Sequence, residues 1–254
     1  MTLNERAPDG DRSYAAVRDR LRMPLEEAME TQRAVRRVLP DPVDLDIVVR
    51  CVELALRAPT GSNNQSWEFV VVTDPSARSA FAGQYRSAWA ASRDGDDSPA
   101  APGRQRPGWD RIADAVDWQV EHFEEVPVLV LACLSSAGSG PGAEDGPPGP
   151  EDPPIRHSSF YGSIYPAVQN LLLAARAVGL GASLVTLPLW SRGAARRIVG
   201  LPDTVTPVCM VPMGWPRGRY GPTTRRPVGE VLHLDRYGRR PWRPDGSGGG
   251  ADPA

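Results

Sequence analysis

The stretch SIYPAVQNLLLAARAVGLG, residues 163–181, is the longest run in the chain that has helical spacing and almost no polar residues. At about 100° per residue, its few polar side chains fall in one sector of the helical wheel, and apolar side chains cover the rest. A helix of this kind is buried on more than one side. It is too often interrupted for the roughly 20-residue apolar run that crosses a bilayer. We therefore predict a central core helix that Gly179 and Gly181 end, followed by a strand over 182–187.

Composition indicates a protein whose partner is a small molecule. The 254 residues, 41% of them apolar, suffice for one large α/β domain or two small ones. The net charge of -2 and the scattered basic residues argue against a nucleic-acid partner. All 29 basic residues are arginines, so a single arginine carries little information. The charged N-terminus lacks the apolar core of a signal peptide, and we expect a cytoplasmic protein with no membrane partner.

The three cysteines, Cys51, Cys133 and Cys209, are odd in number and lie inside apolar segments. This pattern favours buried thiols in a reducing compartment over disulfides. It also argues against a metal site, and we expect none.

Periodicity and chain breakers divide the chain into a flexible arm at 1–22, a domain at 23–240 and a disordered tail at 241–254. Two segments rich in Gly and Pro, 92–108 and 135–154, are predicted to be a mobile insertion and a disordered loop. The order of the elements indicates one α/β (α+β) layer fold around a mixed sheet. Besides the central helix and its strand, the predicted elements are helices at 25–38, 44–58, 75–90, 109–124 and 192–199, strands at 67–73, 126–134 and 205–212, and an extended piece at 228–233.

Arg33, Arg36 and Arg37 lie near the end of the helix predicted at 25–38. The i, i+3, i+4 spacing brings their guanidinium groups to one side, where like charges cost a few tenths of a kcal/mol per pair. A phosphate between them would suit that geometry. A solvated basic face explains the same pattern in a chain this rich in arginine, so both interpretations stay open.

The loop TGSNNQS, residues 60–66, joins a predicted helix to a clear strand and is at the long end for such a connection. The amides of Asn63, Asn64 and Gln65 offer both donors and acceptors, as the recognition of a heterocycle edge requires. A plain turn closed by Asn and Gly is the alternative.

Trp109, Trp118 and Phe123 recur at helical spacing beside the 92–108 segment. Aromatic side chains with this spacing usually belong to a core, but beside a flexible segment they can equally line the mouth of a pocket.

Four stretches, taken in order, resemble the nitroreductase family of FMN-dependent flavoproteins. They are RAVRRVLPDPVD at 33–44, APTGSNNQSWEFVVV at 58–72, SIYPAVQNLLLAARAVGLGASLVTL at 163–187 and MGWPRGRYGPTTRRPVGEV at 213–231. The resemblance spans residues 25–238 and implies a homodimer. Its central helix would form the subunit interface, with both flavins bound between the two protomers.

The resemblance also implies which residues hold the cofactor. Two basic segments would bind the FMN phosphate, one amide-rich loop would read the pyrimidine edge of the flavin, and the backbone near 185–187 would face the ring close to N5. The implied positions are Arg33, Ala34, Arg36, Arg37 and Arg225 or Arg226 for the phosphate, and Thr60, Asn63, Gln65, Thr186 and Leu187 for the ring.

The sequence departs from the family pattern at two places. Gln32 stands where many members have a second Arg, and Ala34 where many have Ser, so two phosphate contacts are missing and Arg37 is the expected substitute. The sequence PLW at 188–190 replaces the Glu-Gly pair of well-studied members, so that pair's contact to N5 is not carried over.

The implied function is an FMN oxidoreductase that passes electrons from NAD(P)H to a small electron-poor acceptor such as a nitroaromatic or a quinone. The flavin would carry the chemistry, so we expect no catalytic side chain. Two alternatives remain open: a flavin-binding sensor without turnover, and a specialised relative that fragments flavin, removes halogen or oxidises heterocycles.

Overall fold

The computed structural model describes residues 11–94, 108–136, 151, 154–219 and 221–243. Most of the two predicted insertions and the end of the predicted tail lie outside the described residues. The chain divides into two compact units, Met1–Gly221 and Pro222–Ala254. The arm, domain and tail boundaries expected at 22/23 and 240/241 stay predictions.

The first unit alternates helices with strands, as its hydrophobic periodicity requires. Its strands are β1 (Trp67–Val72), β2 (Val128–Ser135), β3 (Gly181–Ala182) and β4 (Val205–Gly214). Its helices are α1 (Tyr14–Val17), α2 (Leu25–Thr31), α3 (Leu45–Ala55), α4 (Pro75–Asp94), α5 (Trp109–Glu121), α6 (Pro154–Gly162), α7 (Tyr165–Val178) and α8 (Arg192–Val199).

The four strands form one sheet in the order β1-β2-β4-β3, and every neighbouring pair is antiparallel. The predicted α+β layer fold is confirmed, but the described sheet is antiparallel where we expected a mixed one. Strands β2 and β4 lie at its centre and are buried on both faces, which explains their almost unbroken apolar sequences. Alternate residues of β2 enter two separate cores: Val128, Val130, Ala132 and Leu134 on one face, and Leu129, Leu131 and Cys133 on the other.

The predicted central helix is α7, and it packs against α3 on one face of the sheet. Gly179 ends it in the left-handed region at φ 93°, a conformation that favours glycine. An interface through this helix, as the resemblance implies, would leave one apolar flank uncovered in a single copy, but the structure shows that flank covered. Neighbouring elements of the same chain already bury the four side chains of that flank, Leu171, Leu172, Ala175 and Val178.

The helix predicted at 25–38 ends at Thr31, and the residues after it are extended. Their backbone hydrogen bonds go to the ends of two strands, with Val35 N donating to Ala182 O and Val38 paired with Pro216. This close packing requires a glycine, because a Cβ on Gly181 would lie 2.5 Å from Val35 Cγ1. The three arginines of this segment therefore do not share a helical face, contrary to the prediction.

The strand predicted at 182–187 is shorter than expected. After β3, only a bridge between Val185 and Met210 continues the pairing, and a 3-10 turn over Leu187–Leu189 follows. Pro188 explains the break, because proline supplies no N–H to a strand ladder. In the second unit, the piece predicted as extended at 228–233 contains a 3-10 turn over Val228–Glu230.

Residues 11–22, the described part of the predicted arm, pack against other elements of the first unit. Val17 is fully buried, and Tyr14 N donates to Asp44 Oδ2 over 2.7 Å. The same carboxylate caps α3 by accepting from Asp46 N. Among the described helices, none is long and apolar enough to cross a membrane.

Candidate functional site

Arg36 lies in the extended segment that follows α2, between two buried valines, Val35 and Val38. Its guanidinium is half-buried, and burial lowers its pKa, with Tyr85 as the group that partly offsets the effect. No carboxylate or hydrogen-bond acceptor among the described residues engages it. Because a desolvated cation without a counter-charge is costly, this position is suited to a bound anion.

The neighbouring arginines are more exposed than Arg36. Arg33 Nη1 donates to Gly221 O at 3.5 Å, while the backbone carbonyl of Arg37 accepts from Arg217 N at 3.0 Å. Ala34 is exposed between them and has no polar side chain to offer. In an extended chain that rises about 3.3 Å per residue, the Cα atoms of Arg33 and Arg36 are roughly 10 Å apart. Of these arginines, Arg36 is the most buried one, and it lacks a counter-charge among the described residues, so it is the best candidate to bind an anion.

The loop at 60–66 has an unusual backbone. Ser62, Asn63 and Gln65 all have positive φ values, of 52°, 55° and 49°. Non-glycine residues in this region cost about 1 kcal/mol or more each, and such outliers cluster at binding sites. Two side chains hold the loop, because Thr60 Oγ1 accepts from Gln65 N at 3.1 Å and Ser163 Oγ accepts from Gly61 N at 3.2 Å.

The amide side chains of this loop are exposed. Gln65 Nε2 donates to Asn63 Oδ1 at 3.3 Å, which orients the two amides relative to each other. The remaining donors and acceptors of Asn63 and Gln65 face solvent, so they are free to pair with the edge of a planar heterocycle. A plain turn does not by itself require three non-glycine residues with positive φ in one loop.

The backbone at 183–187 is held by the buried Ser183 and by the hydrogen bonds of Val185. Val185 exchanges two backbone hydrogen bonds of 2.9 Å with Met210, and Ser183 is buried at 1% exposure. Thr186 is exposed, and Leu187 is half-buried where the 3-10 turn begins. This segment can present backbone groups to a ligand without moving.

A buried polar chain lies behind these elements, and the sequence analysis missed it. Tyr85 OH donates to Gln119 Oε1 at 3.4 Å, and Gln119 Nε2 donates to Ser183 Oγ at 2.9 Å. Burial raises the pKa of Tyr85 to about 12, although the nearby Arg36 opposes the shift. The chain thus connects the surroundings of Arg36 with the 183–187 segment. Its one sequence signal is a glutamine at a buried position of α5.

The aromatic residues noted on α5 have three different environments. Phe123 is fully buried in the core, and Trp118 stacks on His122 with Arg217 on its ring at 5.3 Å. Trp109 lines a cavity between α4 and α5. Both interpretations of these aromatics were therefore partly correct.

The cysteines offer no nucleophile. Cys51, Cys133 and Cys209 are buried and free, as predicted, and burial raises the pKa of each to about 12. Within the described ranges, no three His, Cys, Asp or Glu side chains are grouped so that they could hold a metal ion.

Arg225 and Arg226 belong to the second unit, where both are exposed. Arg225 Nη1 donates to the carbonyl oxygen of its neighbour Thr224 at 2.9 Å. Their expected role in phosphate binding stays a prediction.

The geometry described above agrees with a known family. The model of the nitroreductase family matches residues 29–215, which include the arginine segment, the amide loop, α7 and all four strands. The chain belongs to this family.

Two curated relatives of this nitroreductase-family chain carry specialised activities in their names. The 5,6-dimethylbenzimidazole synthase of Rhodospirillum rubrum is 28% identical over 222 residues, covering 85% of this chain and 90% of the relative. The iodotyrosine deiodinase of Drosophila melanogaster is 26% identical over 200 residues, covering 76% of this chain and 62% of the relative.

Solved structures agree with the fold. Nitroreductase A from Vibrio parahaemolyticus superposes with a TM-score of 0.62 at 18% identity, covering 84% of this chain and 75% of that one. An iodotyrosine deiodinase bound to FMN and 3-iodo-L-tyrosine gives a TM-score of 0.60 at 21% identity, covering 84% and 98%. At these identities the similarity establishes the fold alone.

Proposed function

We propose that this protein is an FMN-dependent oxidoreductase that takes hydride from NAD(P)H and passes electrons to a small electron-poor acceptor. The observation that carries the proposal is Arg36, a half-buried cation without a counter-charge in a chain of the nitroreductase family. A terminal phosphate would supply the missing charge and accept several hydrogen bonds.

The residues present fit FMN. Arg36 would hold the phosphate, with Arg33, Arg37 and the basic residues Arg225 and Arg226 as further candidates. The exposed amides of Asn63 and Gln65 match the donors and acceptors of a pyrimidine edge. Bound FMN would supply hydride chemistry that no side chain here offers.

The chain's own contribution would be orientation. The loop at 60–66 is held in its costly conformation by Thr60 and Ser163 before any ligand arrives, so binding needs little further ordering. The 183–187 segment, tied to Met210 and to Gln119, would present Thr186 and the Leu187 backbone to the ring. No proton donor is needed from the protein in this scheme.

We still propose a homodimer, but we now place its interface on exposed apolar side chains of α2 and α3 instead of on α7. Leu45 and Val49 are exposed on α3, and Leu56 is exposed directly after it; positions 0, 4 and 11 lie on one side of a helix. On α2, Leu25 and Met29 are 65% and 56% exposed. Exposed apolar stripes of this kind are typical of subunit interfaces. Sedimentation across a dilution series tests this part: a monomer of 27.5 kDa that retains FMN would contradict it.

The cofactor and the reductant can be tested on the purified protein. Mass analysis of the ligand released by heating should give FMN, and anaerobic NADH or NADPH should bleach its visible absorption. FAD, or a colourless protein that does not take up added FMN, would contradict the cofactor assignment. Bound FMN that neither nucleotide bleaches would instead favour a flavin-binding sensor.

A second candidate is a specialised synthase, favoured by the relative from Rhodospirillum rubrum that this chain matches over 90% of that relative's length. Aerobic incubation of the FMN-loaded protein with NAD(P)H would then yield 5,6-dimethylbenzimidazole, detected by chromatography. Under the first proposal the FMN is recovered intact and an added nitroaromatic or quinone is consumed. A parallel incubation with 3-iodo-L-tyrosine covers the deiodinase activity named for the other relative.

A further inference from the structure

A cavity of about 260 Å³ lies between α4 and α5. It is lined by Trp89 and Arg93 from α4 and by Trp109 and Ala113 from α5. Each pair is spaced i, i+4, so each helix presents one turn of its surface to the cavity. The small side chain of Ala113 leaves space that a larger residue would fill.

One carboxylate fixes the α4 side of this cavity. Trp89 Nε1 donates to Asp117 Oδ1 at 2.6 Å, and Arg93 Nη1 donates to the two carboxylate oxygens of Asp117 at 2.8 and 3.1 Å. Because the indole N–H is satisfied, Trp89 can offer its ring face, while Arg93 has further N–H groups that no described residue engages. The cavity wall is therefore ordered before a ligand binds.

We propose that this cavity binds a planar aromatic anion of one or two rings, such as an aromatic carboxylate. Indole faces favour flat aromatic partners, and a guanidinium pairs with a carboxylate through parallel hydrogen bonds. The volume is smaller than the 300–1,000 Å³ typical of drug-sized ligands, which limits the ligand to a small ring system. Asp117 keeps Arg93 in place and excludes a second carboxylate from its own side.

Helix α4 connects the cavity with the segment that is expected to face the flavin. The same helix packs against Leu187–Leu189, the turn that directly follows the backbone expected at the flavin. We take the aromatic anion to be the electron acceptor. This identification rests on the proposed function, whereas binding in the cavity does not.

The test compares 4-nitrobenzoate with 4-nitrobenzamide, two probes that share a ring and differ in charge. Calorimetric titration of the FMN-loaded protein, without reductant, should show the carboxylate binding about tenfold more tightly, the effect of one charge-assisted hydrogen bond. Arg93→Gln should abolish that preference, while Arg86→Gln, a matched exposed arginine on the same helix, should leave it intact.

Ala113→Phe tests where the probes bind, because the larger side chain fills the cavity. The affinity for both probes should fall at least tenfold. Ile112→Phe adds the same ring at the adjacent exposed position and should change neither. Unchanged binding in Ala113→Phe, or a carboxylate preference that survives in Arg93→Gln, would overturn the proposal, as would a wild-type protein that binds neither probe. Because Arg93 is exposed, the Arg93→Gln variant should fold even if the Ala113→Phe variant does not.

Turnover separates this inference from the proposed function. If NAD(P)H fails to reduce the protein but the binding pattern holds, the cavity assignment stands and the oxidoreductase assignment fails. If turnover is seen and kcat/KM shows the same tenfold preference, lost in Arg93→Gln, the anion is the acceptor. If turnover shows no preference although binding does, the acceptor role is overturned.

Discussion

Arg36 and Arg176 are both half-buried, and burial lowers the pKa of both guanidinium groups, but different groups replace the lost water. Arg176 Nε donates to Thr31 Oγ1 at 2.8 Å, and the charge of Glu27 supports it. Among the described residues, the neutral Tyr85 is the one group that opposes the effect of burial on Arg36. The cost of desolvating the guanidinium is thus compensated by other groups of the chain at Arg176 but not at Arg36. Arg176 thus joins two helices, whereas we propose that Arg36 binds an anion.

The largest effect should come from Arg36→Met, which keeps most of the packing volume and removes the charge. FMN affinity should fall about 10- to 100-fold, since a hydrogen bond to a charged group is worth about 1.5–3 kcal/mol. Stability of the FMN-free protein should not fall, because the variant also removes an unpaired half-buried cation. Flavin fluorescence titration and urea unfolding of the same samples measure the two quantities. A destabilised apo-protein with unchanged FMN affinity would make Arg36 a structural residue like Arg176.

The next largest effect should come from Gln119→Leu, which acts on the surroundings of Arg36 without touching its charge. The variant leaves the hydroxyls of Tyr85 and Ser183 buried without their partner, and we expect the free energy of unfolding to fall by about 2 kcal/mol.

The matched control for this change is Ser183→Ala in the Gln119→Leu background, compared with Ser183→Ala alone. If the polar chain operates as a unit, the second substitution should cost less in the variant than in the wild type. Additive costs would show that Gln119 does not hold the Ser183 hydroxyl. FMN affinity, measured alongside, should fall only if the anchored 183–187 segment contacts the cofactor.

The sequence predicted α7 and its end well, because both depend on local information. The apolar spacing of 163–178 is enough for a buried helix, and Gly179 supplies the left-handed residue that ends it. Asp44 and Ser191 were likewise predictable as caps, since a side chain that accepts from a nearby backbone N–H needs no distant partner.

Features that depend on distant contacts were not predictable. The segment at 33–37 has acceptable helix formers, but its backbone pairs with residues about 150 to 180 positions away, and that pairing overrides the local preference. The burial of Leu172 by its own chain, which removed the argument for an interface there, depends on how distant elements pack against α7. For the candidate site, the sequence indicated the arginine segment and the amide loop, which stay predictions, but it could not reveal which arginine lacks a counter-charge among the described residues.

The smallest effect should come from the Arg176 side of the comparison. Arg176→Met removes the hydrogen bond to Thr31 but leaves the bond from the Thr31 hydroxyl to Glu27 O, so Thr31 keeps one partner. Because Arg176 is partly solvated, we expect a loss of only about 1 kcal/mol in the free energy of unfolding. FMN affinity should stay within about twofold of the wild type, a change under 0.5 kcal/mol. Thr31→Val provides the control from the opposite partner: if the bond between α7 and α2 is what Arg176 contributes, adding Arg176→Met to this variant should cost little more. An Arg176 variant that weakens FMN binding as strongly as Arg36→Met would show that the missing counter-charge does not identify the phosphate site.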